Sequence, residues 1–439
     1  MYLSGNSLRF RKHKKRDNPR HIIVLLFLLL GGVFLLGLYA QGQVQPIGQP
    51  TLGPTRNPQS YLEEAQAHFE AGHLKQAIVA YQNARRADPE NLDMAIALAR
   101  TQILDEQFDA ALETAQFALT TDNDHPKVNA IYAWALDKVG RLDEAQAAAL
   151  KAITLDNTYA PGHAYYSEIL NDGGFWDQGF AEAQTALQLD PNLFEARWAM
   201  GYSNEVVGLY ENAIEHYEQA VNLNPNLWII YIKLGVMYRD GLQKPDRALQ
   251  YFSKANALDP ENIQPFLYLS RTYYQIDKIG TAIQYLEQAL RYEPTNPDIY
   301  GRLGLLLFKR KNYEGAEPIL RLAVFGGPVT DATGQPLVEG ITLTDTAISL
   351  SVIGLALNQS SLEYYYTLGN LRAYIASLQN PEPCGPDPDD APALLRAAFN
   401  FAPEDRTVIG SYTESMGICD NINRGIAPVT ETPDITPTP

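Results

Sequence analysis

Cysteine is almost missing from this 439-residue chain, which has two, Cys384 and Cys419. They form no Cys-x-x-Cys pair, and neither follows the apolar run near the N-terminus, so lipoprotein processing is not expected. Histidine is sparse as well. His13, His21, His68, His73, His125, His163 and His216 show no metal spacing such as His-Glu-x-x-His. There is no Gly-rich phosphate loop, no Gly-x-Ser-x-Gly elbow and no Ser/His/Asp arrangement. The residues therefore point to no catalytic group, no metal and no cofactor. Basic charge is scarce too: 34 Lys and Arg stand against 51 Asp and Glu, a net charge of −17. An acidic surface does not suit nucleic acid, whose phosphates need Lys and Arg for neutralisation.

The charge is unevenly distributed. Residues 1–20 hold Arg9, Arg11, Lys12, Lys14, Lys15, Arg16 and Arg20 against Asp17, or +6, leaving −23 for the remainder. This basic head precedes the chain's single long apolar run, Ile22–Ala40, within 21–40. Nineteen residues rising about 1.5 Å each nearly match a hydrocarbon layer of about 30 Å. The positive-inside rule then predicts a single-pass transmembrane anchor in the cytoplasmic membrane, with the N-terminus inside and the rest outside. The competing reading is a cleaved signal peptide, although Leu38-Tyr39-Ala40 lacks the small-x-small pattern of a cleavage site. Residues 41–57, rich in Gln and Pro, read as a linker. The Thr/Pro-rich 426–439 reads as a disordered tail.

Between these ends the chain repeats itself, and Phe194–Asn226 shows the unit best. Two amphipathic helices are expected, the first carrying Gly201 and ending before Gly208. The second carries Ala213, Tyr217 and Ala220 and is stopped by Pro225, which lacks an amide hydrogen and disfavours helix in the residue before it. Stepping by 34 residues recovers the same slots. The first-helix small residue recurs as Ala65, Ala99, Ala133, Ser167, Gly201, Gly235, Ser270 and Gly304. The second-helix alanine recurs as Ala77, Ala111, Ala145, Ala213, Ala248, Ala282 and Ala316, with Gly179 the exception. One extra residue is expected near Gln243–Lys244.

Eight units in phase over 58–328 resemble the tetratricopeptide repeat, a helix–turn–helix unit of about 34 residues. That resemblance implies an all-α fold, a right-handed superhelix of stacked helix pairs. It also implies that the first helix of each repeat lines a concave face where protein or peptide partners lie. Carried over by register, the partner-binding positions are Arg100, Trp134, Glu168, Tyr202 and Arg271; one turn further on come Asn171, Glu205, Arg239, Tyr274 and Phe308, and one turn before lies Trp198. Aromatic and Arg side chains are the usual anchors of protein interfaces. The lysine-and-asparagine clamp that chaperone-binding relatives close on a C-terminal carboxylate is not at these positions.

After Pro328 the period breaks. Residues 329–361 read as an inserted hairpin or loop followed by a short helix from about Asp345 to Leu357. The motif then resumes over 362–425 as a degenerate ninth repeat, with Gly369, Ala391, Ala398 and Pro403 in its slots, closed by a capping helix. Both cysteines fall there, and outside the cytoplasm an even pair favours a Cys384–Cys419 disulfide. The acidic run Asp387, Asp389 and Asp390 lacks a calcium-loop pattern and reads as a solvated loop. Together these features predict a non-enzymatic, membrane-tethered, extracytoplasmic scaffold for protein partners. Two other readings are an envelope polysaccharide- or peptidoglycan-binding assembly factor, whose groove aromatics would stack on glycans, and an accessory subunit of a larger membrane complex.

Overall fold

The computed structural model describes residues 57–331, 334–338, 350–378 and 384–425. The expected basic head, membrane anchor, linker and C-terminal tail lie outside the described residues. Among the described residues no helix is long and apolar enough to cross a membrane.

Nineteen α-helices occupy the described residues. Eight pairs come first: α1 (Pro58–Glu70) and α2 (Leu74–Ala87), α3 (Leu92–Leu104) and α4 (Phe108–Thr121), α5 (Pro126–Lys138) and α6 (Leu142–Leu155), α7 (Ala160–Asp172) and α8 (Trp176–Leu189). There follow α9 (Phe194–Val206) and α10 (Tyr210–Leu223), α11 (Trp228–Val236) and α12 (Pro245–Leu258), α13 (Ile263–Gln275) and α14 (Ile279–Tyr292), and α15 (Pro297–Lys309) and α16 (Tyr313–Phe325). The pairs repeat because their start and stop signals repeat. Asn91, Asn262 and Asn296 cap α3, α13 and α15 by accepting a first-turn backbone N–H, satisfying a donor that the helix leaves orphaned. The turn inside each pair needs one left-handed residue. Gly72, Gly140, Gly174 and Gly208 supply it at φ 79–80°, and Glu106, Gln243, Asp277 and Lys311 at 54–63°.

The slots of the repeat are where neighbouring helices touch. Ala77, Ala111, Ala145, Ala213, Ala248, Ala282 and Ala316 are all fully buried. First-helix small residues match large residues on the second helix. A Cβ at Gly201 would lie 2.7 Å from the Tyr217 ring, and one at Gly235 would lie 2.3 Å from Phe252. Gly179 departs from alanine for a comparable reason: the Asn171 amide oxygen stands 2.4 Å from where its Cβ would be.

The extra residue is absorbed earlier than its expected place near Gln243–Lys244. Met237–Gly241 is a π-helical turn continuing α11, with Leu242 N donating to Met237 O at 3.0 Å. Widening one turn takes up the insertion without disturbing the next repeat.

Beyond α16, β1 (Gly326–Pro328) pairs antiparallel with β2 (Ser351–Ile353), with Gly327 opposite Val352. A single bridge joins Thr330 to Pro336 in the intervening loop. The short helix expected over Asp345–Leu357 is not what forms at 351–353. That segment is recruited as a strand by the backbone of β1, and an added Cβ at Gly354 would strike Val324 O at 2.4 Å. Residues 339–349 lie outside the described residues.

The ninth unit follows as α17 (Leu362–Leu378) and α18 (Ala391–Phe401), and α19 (Arg406–Asn423) packs on both. Cys384 and Cys419 are bonded, their Cα atoms 5.2 Å apart, in a cluster with Ala373, Ala376, Ala391 and Leu395. The acidic loop is not simply solvated. Asp390 is buried, and Asp389 lies 3.4 Å from Arg372 and 3.7 Å from Arg321.

Candidate interaction surface

On the first helices α3, α5, α7 and α9, many of the positions carried over by register are buried. Trp134, Glu168, Asn171, Trp198 and Arg239, all expected to meet a partner, are each no more than 8% exposed. Their partners lie in the same repeat or the next one. Trp134 stacks on Tyr165 with ring centroids 4.3 Å apart, and its indole N–H donates to Glu168 at 3.2 Å. Asn171 donates to Ser203 at 2.9 Å. Trp198 meets Tyr217 edge to face at 5.5 Å. Arg239 makes two hydrogen bonds to Asp240, at 2.8 and 2.7 Å, and lies between the Phe252 and Tyr268 rings. A residue so engaged holds repeats together and offers little surface. Sequence register alone cannot distinguish a lining position from a filled one.

A polar ladder accompanies this packing. Lys138 Nζ donates to Asp137 and Glu168, each at 2.9 Å, and lies 4.0 Å from Asp172, which accepts from the Tyr202 hydroxyl. One repeat on, Lys233 reaches both oxygens of Glu205 at 3.2 Å, and Tyr217 donates to Glu205 at 2.5 Å. Three carboxylates thus surround one ammonium. Burial pulls Lys138 down, yet Glu168 and Asp137 outweigh it and hold its pKa above the usual lysine range. Asp137 is raised to about 6: burial disfavours its charge, and Lys138 only partly offsets that. Burial, then the hydrogen bond to Asp172, raises Tyr202. Arg100, part-buried, pairs with Glu195 of α9.

The inner face opens in the seventh and eighth repeats. Arg271 is exposed, Tyr274 is 36% exposed and Phe308 is half-buried. Lys309 links the two helices by donating to the Tyr274 hydroxyl at 2.8 Å, its ammonium 4.9 Å from the ring centre, and it lies 4.0 Å from Glu363 of α17. Arg271, Tyr274, Phe308 and Lys309 thus offer a cation, an aromatic face and an apolar edge together. Lys309 was not singled out in the sequence; its position one residue after Phe308 in the groove register was the available signal. Among the described residues no group of three or more His, Cys, Asp or Glu is placed to hold a metal ion.

Family models match four segments: tetratricopeptide repeat at residues 68–116 and 277–328, TPR repeat at 208–241 and tetratricopeptide repeat again at 126–159. A search of curated proteins finds no match. Among solved structures, a tetratricopeptide repeat protein from Parabacteroides merdae is 15% identical over 58% of this chain and 100% of its own, with a TM-score of 0.39. A thermophilic TPR protein from Thermus thermophilus is 19% identical over 41% of this chain and 98% of its own, with a TM-score of 0.36. The APC/C hetero-tetramer Cut9–Hcn1 gives 17% identity over 60% of this chain, a TM-score of 0.49, and a match spanning 51% of that chain's length. This chain carries tetratricopeptide repeats, stacked as an all-helical solenoid.

Proposed function

We propose that the protein is a non-enzymatic scaffold that holds protein partners on the open inner face of its seventh and eighth repeats. The observation that carries this reading is the group Arg271, Tyr274, Phe308 and Lys309, in which Arg271 and Tyr274 are exposed, whereas Trp134, Trp198 and Arg239 are buried. A preformed aromatic and cationic surface on packed helices loses little conformational freedom on binding. The fold class supports it too, since tetratricopeptide repeats commonly bind proteins or peptides. We place the repeats outside the cytoplasmic membrane, tethered by residues 21–40; the basic head and the apolar run support that orientation.

Two measurements test the proposal. In affinity capture with the full chain, Tyr274→Ala and Phe308→Ala lose partners that Phe117→Ala, on the exposed outside of α4, retains. Partners retained equally by all three refute the surface. A reporter fused after Pro439 that is active only in the cytoplasm refutes the orientation.

A further inference from the structure

The fourth repeat turns outward what other repeats turn in. Trp176 opens α8 in a slot that Leu74, Leu142, Tyr210 and Ile279 fill elsewhere. Those four are buried or half-buried, whereas Trp176 is 52% exposed. One turn on, Phe180 is 41% exposed, although Ile78, Ile214 and Ile283 are buried at the same slot. Being four residues apart, Trp176 and Phe180 share one face of α8. Phe175, just before α8, is exposed as well, and so are Val207 and Leu209 at the corresponding turn of the fifth repeat. The two turns adjoin, because α9 packs on both α7 and α8. A lone exposed apolar side chain needs no explanation, but several together, at slots otherwise packed, mark an interaction surface.

The charge around this patch decides what fits it. Over residues 160–223, Arg197 is the single Lys or Arg against ten Asp and Glu. Arg197 also sits near the start of α9, donating to the Pro191 carbonyl at 3.0 Å, whereas Val207 and Leu209 follow the end of that helix. Asp177 and Glu211, both exposed, lie in the first turns of α8 and α10, beside the apolar residues. Asp172, three residues before Phe175, is exposed too. Lys138 is 4.0 Å from Asp172 but is already held by Asp137 and Glu168. These carboxylates repel an anionic lipid surface or an acidic peptide. They attract Lys and Arg, which also favour the face of an indole.

We infer that the turn edge of the fourth and fifth repeats docks a cationic amphipathic segment of a protein partner. Its apolar residues lie against Trp176 and Phe180, and its Lys or Arg residues meet Asp177 and Glu211. This surface is three repeats away from Tyr274 and does not depend on binding there.

The probe is a fluorescein-labelled peptide with Leu on one helical face and Lys on the other, beside a counterpart with Glu in place of Lys. Anisotropy is read with the full chain in phosphatidylcholine nanodiscs, less the signal of empty nanodiscs. The Lys peptide should bind, more weakly as salt rises, and the Glu peptide should not. Trp176→Ala and Phe180→Ala should each weaken the Lys peptide by about tenfold or more, as loss of an aromatic anchor does. Asp177→Asn combined with Glu211→Gln should flatten the salt dependence. Phe117→Ala and Tyr274→Ala should bind the Lys peptide as the parent does. Equal affinity in the parent, Trp176→Ala and Phe180→Ala overturns the proposal, and so does binding of the Glu peptide. A parent dimer, seen by sedimentation in detergent, that Trp176→Ala splits would also overturn it, because a second copy would then cover the patch.

Discussion

Trp134 and Tyr274 occupy the inner-face register of the third and seventh repeats, and truncating each to alanine separates packing from recognition. Trp134 is 3% exposed. Its removal empties a core site, at a cost of about 3–5 kcal/mol. It also deletes the Tyr165 stack, for which about 1 kcal/mol beyond area burial is typical. Glu168 keeps Lys138 as a donor but loses the indole. A total of about 4 kcal/mol lowers the melting temperature by about 8 °C at roughly 2 °C per kcal/mol. The loss should be read as local, because stability in a repeat array is a sum of neighbour terms and α5–α7 can open before the ends do. Tyr274→Ala, on an exposed site, should stay within about 0.5 kcal/mol of the parent. Circular dichroism at 222 nm during heating, run beside affinity capture, reads both. The expected outcome is a destabilised Trp134→Ala and a stable Tyr274→Ala that has lost its partners. A Trp134→Ala protein that melts like the parent while losing every partner would refute the reasoning, since the indole would then be presented outward.

The remaining predictions are more local. Reducing the Cys384–Cys419 bond opens a loop with a sequence separation of 35 and should cost about 4 kcal/mol in the chain-entropy model; limited proteolysis should then cut α17–α19 first, and an unchanged cleavage pattern argues against a structural bridge. Asp137 titrates at about 6, above its ordinary value of 3.8. The folded state thus holds its proton more tightly, and its contribution to stability grows as pH falls through 6 and is lost as pH rises. Asp137→Asn should therefore narrow the melting-temperature difference between pH 5 and pH 7.5, and an unaltered difference refutes the assignment. Gly235→Ala should cost about 1–3 kcal/mol by overpacking against Phe252, whereas Gly280→Ala, with nothing within 4 Å of the added Cβ, should gain about 0.4–1 kcal/mol through the unfolded chain. Equal urea midpoints for the two variants would refute this.

Much of the architecture was legible because it rests on nearest-neighbour contacts. Ala77, Ala111 and their equivalents recur where two helices touch, so composition at fixed spacing reports packing directly. Gly179 was legible only as an exception; its cause, the Asn171 amide, lies on the partner helix. The candidate site was less legible. Register places Trp134, Trp198 and Arg239 at inner-face positions, but whether such a position is open depends on which side chains the facing helices bring over it, here Tyr165, Tyr217 and Phe252. No local spacing encodes that. The strand at Ser351–Ile353 was hidden for a related reason, since its apolar residues suit either helix or strand and the partner strand lies beyond a long insertion.

The π-turn at Met237–Gly241 marks the change from the filled half to the open one. Before it, each inner residue reaches the next repeat at nearly constant spacing: Trp134 to Glu168, Lys138 to Glu168, Asp172 to Tyr202, Glu205 to Lys233. One extra residue advances a helix by about 100°, because there are 3.6 residues per turn. The wider turn absorbs that advance, and Arg239 is where the cost falls. Its guanidinium is drawn under the aromatic rings of the next helices and neutralised by Asp240, leaving Nη1 buried without a partner. Beyond this point the next such link is Lys309 to the Tyr274 hydroxyl at 2.8 Å. Arg271, the next inner arginine, stays in solvent, and its charge adds to that of Arg239 in holding the Asp240 carboxyl below the usual range. The insertion thus falls where the buried carboxylate ladder gives way to the more exposed side chains of Arg271 and Tyr274.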